Sequence, residues 1–305
     1  MSNPMMEKVM KELHKYIDDH RDEVKCEDDY DVLVKRFMEE YNASIRAGKS
    51  RGPETADDYL SQAGKAETLK DRISSLRKAL SLEPGNVDAQ YQLILIENAD
   101  KPEECLKALE KLIRKTEKTD EMKAYLEEDA GSFWGILETR PYMRLRHAHM
   151  TELISCGMMA AAAEEGRELM RLCETDNLGV RLTLMHLYAF MEDEENALRL
   201  FRRSEDNPEP PMLLALSVLY YKKQDYAKAA EYLQKLQTVN RDTRKFLRRM
   251  ASDEGTDDVF ESMNSFGYRP FTEEELAVND EENRFLFESV PYFYRWAFRT
   301  INKRK

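Results

Sequence analysis

Arg140, Arg144 and His147 are the residues best placed to do chemistry, because spacings of four and then three put three cationic or titratable groups on one helix face. Such a face is a candidate anion site. Glu138 stands beside it, however, and a structural network tying this segment to the following helix accounts for the same residues. Glu192-Asp193-Glu194-Glu195 and Asp257-Asp258 place carboxylates side by side, the raw material of general acid–base catalysis. Each run falls at an expected turn or helix cap without the apolar shielding that raises a carboxyl pKa, which favours solvated surface. His147 and His149 are two residues apart and so point to different faces of a helix, which rules out joint metal ligation. Cys26, Cys105, Cys156 and Cys173 show neither a CxxC nor a Cys/His ligand spacing, so buried, reduced thiols are expected. With no nucleophile motif, phosphate loop or dinucleotide fingerprint, the expectation is a protein without catalytic activity, cofactor or metal.

Composition narrows the partner classes. The 305 residues carry a formal net charge of -12, which argues against nucleic acid and anionic membranes, since both require a basic face that releases counterions. Hydrophobic residues at 42% are ample for a core, while 35% charged residues and only 11 glycines suit stacked helices with much polar surface and few tight turns. No positive segment followed by an apolar stretch opens the chain, and no window reaches the run of about 18 apolar residues that spans a bilayer. A soluble, cytoplasmic protein is expected.

The elements that must position these residues read as helices throughout. Asn3 and Pro4 open a helix with apolar residues Met6, Val9, Met10, Leu13, Tyr16 and Ile17, and a second follows with Tyr30, Leu33, Val34, Phe37, Met38 and Tyr41. Residues 1–47 are thus an amphipathic hairpin, and 48–58 a linker with glycine and proline breakers. Residues 59–251 form an array of helix pairs, interrupted by an insertion at about 119–140. Within it three hairpins, starting near Pro141, Asn177 and Pro211, superimpose bulky Leu153, Tyr188 and Tyr220 late in a first helix. Small Ala162, Ala197 and Ala229 fall early in the second, at a period of about 34 residues. An earlier, degenerate unit spans 87–98 and 102–117, with Pro102 opening its second helix and Cys105 in the small position. Residues 252–305 leave the period: Thr272 and Glu275 make a capping box, and Phe285, Phe287, Tyr292, Phe293, Tyr294, Trp296 and Phe298 form an aromatic cluster expected to cap the array.

This large-against-small spacing, over roughly residues 67–250, resembles tetratricopeptide-repeat proteins, although Met150, Met185 and Ser217 stand where those repeats carry glycine. The stretch Phe133-Trp134-Gly135 through Glu138-Thr139-Arg140-Pro141-Tyr142-Met143-Arg144 is similar to the motif of a narrower group of bacterial repeat proteins, itself similar to the suppressor-of-tumorigenicity-7 family. The resemblance implies an all-α, right-handed superhelical solenoid of antiparallel helix pairs that acts as a scaffold and transfers no catalytic residue. It also implies an inner face built from exposed positions of each first helix. Those positions are Arg144, His147, Thr151, Ile154 and Ser155, then Leu182, His186, Ala189 and Phe190, then Leu214, Val218, Tyr221 and Lys222. A groove centred on Arg144, His147, Thr151, His186, Phe190, Tyr221 and Lys222 suits a peptide or helix with an apolar anchor and an acidic group. The carboxylate clamp of chaperone-binding repeats is absent, since its places hold His147, Thr151, Thr183, Pro211 and Ala215. The alternative is a structural protein whose groove is filled by its own tail and which self-associates through residues 1–47.

Overall fold

The computed structural model describes residues 4–24, 26–46, 55–204, 206–252, 254–264 and 267–302. Among these the regular structure is helical and no segment is a β-strand. No helix among them is long and apolar enough to cross a membrane. The chain divides into two compact units, Met1–His149 and Met150–Lys305.

In the first unit, α1 (Pro4–Asp19) and α2 (Glu27–Arg46) meet where Tyr16 and Phe37 lie 5.5 Å apart and Arg36 Nε donates to Tyr16 Oη at 2.7 Å. Helix α3 (Ala56–Lys65) starts on a capping box, in which Asp58 N donates to Thr55 Oγ1 at 3.2 Å and Thr55 N to Asp58 Oδ2 at 3.0 Å. That reciprocal pair satisfies two orphan amides and starts the helix inside the stretch read as linker, so residues 55–58 are corrected to cap and helix. Residues 48–54 lie outside the described residues. Thr68 caps α4 (Leu69–Leu82), Asn86 caps α5 (Val87–Glu97), and Pro102 occupies the first turn of α6 (Pro102–Glu117), where its missing amide is no loss. Leu76, Ala79, Ala89 and Leu93 of α4 and α5 are buried with Ala56 and Ala63 of α3 in one core.

The stretch expected to be an insertion holds α7 (Asp120–Glu128) and a 3-10 turn, Phe133–Gly135, before α8 (Arg140–Ser155). Its motif is bonded to itself. Thr139 Oγ1 donates to the carbonyls of Phe133 and, at 3.0 Å, Ile136, while Arg140 Nε donates to Trp134 O at 2.8 Å with its guanidinium over the indole. Tyr142 packs against buried Phe133 and donates its hydroxyl to Glu117 Oε1 at 2.7 Å, tying the insertion back to α6. Glu138, adjacent in sequence, is exposed.

The second unit contains the end of α8, then α9 (Met159–Leu172), α10 (Val180–Met191), α11 (Glu194–Phe201), α12 (Pro210–Lys222) and α13 (Tyr226–Val239). It closes with α14 (Thr243–Ala251), α15 (Asp257–Ser262), α16 (Glu273–Glu282), α17 (Arg284–Glu288) and α18 (Phe293–Asn302). One turn recurs three times. Gly157, Glu192 and Gln224 adopt left-handed φ values of 73, 60 and 61°, and the next amide bonds back to the bulky residue five positions earlier. These bonds are Met158 N to Leu153 O at 2.8 Å, Asp193 N to Tyr188 O at 2.9 Å and Asp225 N to Tyr220 O at 2.9 Å. This is the Schellman closure, and Asp193 and Asp225 go on to cap the next helix. Ala162, Ala197 and Ala229, the small positions, are all fully buried. Left-handed backbone strains a side chain but not glycine, so Gly157→Ala is expected to lower stability by about 1 kcal/mol. Gln224→Gly should raise the urea midpoint; equal shifts of one sign in the two variants would contradict this turn geometry.

Candidate functional site

Of the seven residues assigned to a groove, Arg144 and His147 belong to the first unit and Thr151, His186, Phe190, Tyr221 and Lys222 to the second. Each unit carries its own arrangement.

In the first unit Arg144 lies at the centre of a four-charge cluster. Its Nε and Nη2 donate to Asp88 Oδ1 and Oδ2 at 2.8 and 2.6 Å, and its Nη1 donates to Glu7 Oε1 and Oε2 at 2.9 and 3.1 Å. Arg140 Nη1 reaches the same Glu7 carboxylate at 3.5 Å. Two guanidiniums face two carboxylates, so the cluster is neutral only while Glu7 is in it. Burial acts to lower the Arg144 pKa, but the bonds to Asp88 and Glu7 win and hold it above its ordinary value. Nearby Tyr91 is pushed up to about 12, first by burial and then by Asp88. The anion face expected of Arg140 and Arg144 is therefore filled, and the occupant comes from α1. His147 is half-buried on the same helix.

In the second unit the face read as an exposed groove is covered by the tail. His186 was expected at the surface and is fully buried, its Nδ1 2.7 Å from Leu182 O and its ring 5.8 Å from that of Phe287. Phe190 meets Phe285 at 5.8 Å, and Tyr221 meets Phe293 and Trp296 at 5.4 and 5.0 Å. Leu214 and Val218, also expected exposed, are fully buried, because α16 and α17 pack where solvent was anticipated. Lys222 Nζ sits 5.0 Å from the Phe190 ring centroid and donates to the carbonyls that end α10, as a cation at a helix carboxyl terminus should. Burial lowers its pKa. Thr151 alone of the set is exposed, and its carbonyl accepts from Ser155 Oγ at 3.1 Å.

The acidic runs have structural partners. Glu194 accepts from Tyr220 Oη at 2.8 Å and pairs with Lys223, and these bonds, Lys223 foremost, hold its pKa below the usual range. Asp258 pairs with Arg249 at 2.7 Å. Among the described residues no three His, Cys, Asp or Glu side chains come together in a metal-holding group. Cys105 and Cys173 are buried and Cys156 is partly so, whereas Cys26, expected inside, is exposed in the turn leading into α2.

Buried His186 of α10 and half-buried Asp280 of α16 respond oppositely to pH. Burial depresses His186 from 6.5 to about 4, so its contribution is complete above pH 6.5 and is lost as pH falls toward 4. Burial raises Asp280 from 3.8 to about 6, against the hydrogen bond from Tyr294, so its contribution is present below 3.8 and lost as pH rises toward 6. Each slope is about 1.4 kcal/mol per pH unit at most, and between pH 4 and 6 they oppose. Asp280→Asn should therefore make stability fall more steeply on acidification than in the parent, and His186→Leu less steeply. Urea midpoints at pH 4, 5, 6 and 7 check this, and parallel curves for all three proteins would contradict it.

Comparison with protein-family models, with curated proteins and with solved structures finds no match to this chain.

Proposed function

We propose that the protein is a non-enzymatic interaction scaffold whose first-helix faces receive helical segments, in an array of tetratricopeptide type. The recurrence of one turn at Gly157, Glu192 and Gln224 and the buried alanines at a common position support the repeat reading. One observation carries the functional reading: in each unit separately, a segment from an end of the chain covers residues assigned to the groove, α1 at Arg144 and the tail at His186, Phe190 and Tyr221. The aromatic tail fills the second unit's face with buried rings, whereas α1 meets the Arg144 face through the carboxylate of Glu7. The Arg144 face is accordingly the one open to exchange with another protein.

Recovery of the full chain from its own cells, in parent and Arg144→Gln forms, tests this by quantitative mass spectrometry. Proteins enriched with the parent should be lost from Arg144→Gln and retained by Arg199→Gln, a change at an exposed i, i+4 pair. Identical recoveries from all three would remove the reading.

A second reading, self-association through residues 1–47, is favoured by one observation: Met6, Tyr30, Val32 and Met38 of α1 and α2 are exposed large apolar residues. Under it, Val32→Lys with Met38→Lys in the full chain should shift sedimentation to a smaller species. An unchanged sedimentation coefficient excludes it.

A further inference from the structure

Helix α1 is docked in an unusual way for a structural helix. Amphipathic helices bury an apolar stripe, yet the most buried described side chain of α1 is Glu7, at 8% exposure, while its neighbour Met6 is 63% exposed. Tyr16 packs on Phe37 of α2, and the bonds that tie α1 to α3 are again between charges. Lys8 Nζ lies 2.5 Å from Asp58 Oδ1, and Lys11 Nζ 3.0 Å from both Asp57 carboxylate oxygens, in the first turn of α3. Asp58 can serve both Lys8 and the α3 cap because its other oxygen, Oδ2, takes the Thr55 amide.

Two cationic groups on α8 thus read one acid, and two acids on α3 read two bases one and four residues further along the same helix. Without the acid, Arg140, Arg144 and Asp88 are left with one excess positive charge at a half-buried site, an arrangement that requires an incoming carboxylate. We propose that Arg140, Arg144, Asp57 and Asp58 form a recognition site for a partner helix of charge order Glu-Lys-x-x-Lys, and that α1 is its intramolecular stand-in, displaced when such a helix is supplied by another molecule. This rests on the reading of the Arg144 face as a ligand site and adds the ligand's chemistry and its competitor.

The test uses a fluorescent peptide of residues 4–19 as the probe, titrated by anisotropy against the full chain. Glu7→Lys places a cation against Arg140 and Arg144 and expels the resident helix; Glu7→Gln weakens it without adding charge, should the first variant fold poorly. Because a site that is rarely vacant binds more weakly by its vacant fraction, the peptide should bind Glu7→Lys at least about tenfold more tightly than the parent, with Glu7→Gln between them. Adding Arg144→Gln to either variant should abolish the gain. Equal affinity for parent and both variants, or a gain that survives Arg144→Gln, overturns the proposal. Loss of peptide binding alongside Arg144-dependent recovery from cells also overturns it, while leaving the scaffold reading standing. Tight peptide binding with recoveries that ignore Arg144 has the reverse meaning: the site accepts α1-like helices, and the scaffold reading fails.

Discussion

Arg144→Ala is expected to lower the unfolding free energy of the first unit by about 3–5 kcal/mol, because it leaves Asp88 and Glu7 buried with only Arg140 to neutralise them. Both carboxylates are 8% exposed, too little for water to replace the lost bonds. Urea denaturation followed by circular dichroism measures it, and Arg199→Ala on the exposed side of α11 serves as the control, with a shift below about 0.5 kcal/mol. A loss of that small size in Arg144→Ala would mean that the cluster is solvated rather than buried. Replacing Arg144 and Asp88 together should be milder than the sum of the single changes, since the pair then disappears as a unit.

Phe293→Ala is the second large effect, at about 3–5 kcal/mol in the second unit. The ring is fully buried between Tyr221, Tyr294 and Trp296, so truncation opens a cavity at the point where α18 joins the rest of the unit. Detachment of the tail should follow, read as faster proteolysis within residues 284–302 and faster amide exchange in α10 and α12. Tyr292→Ala, on an exposed ring beside it, should leave both rates unchanged. If the two variants are cleaved alike, the aromatic tail is not what covers His186 and Tyr221.

Local chemistry was legible in the chain. The opening of α6 at Pro102, the bulky residues that close three turns and the small ones that face them all follow from residue type at fixed spacing, because each is decided within a few residues. What covers each face was not. Periodicity says which side of a helix is apolar but not which distant segment will cover it, and Glu7 pairs with a residue 137 positions away. The stripe in α1 even pointed the wrong way at Met6, since a buried ion pair can outrank one methionine in orienting a marginal helix. The burial of Leu214 and Val218 does have a signal in the sequence. The run from Met212 to Tyr221 is apolar on all sides, and a helix of that kind must be covered on two faces.

Helix α1 binds its own chain through the Glu7–Arg144 contact. A double-mutant cycle with Glu7→Gln, Arg144→Gln and the double variant, measured by urea unfolding, tests it most directly. A coupling energy of about 1–3 kcal/mol, shrinking as salt is raised, is the predicted result. Additive changes, with no coupling at low salt, would contradict it.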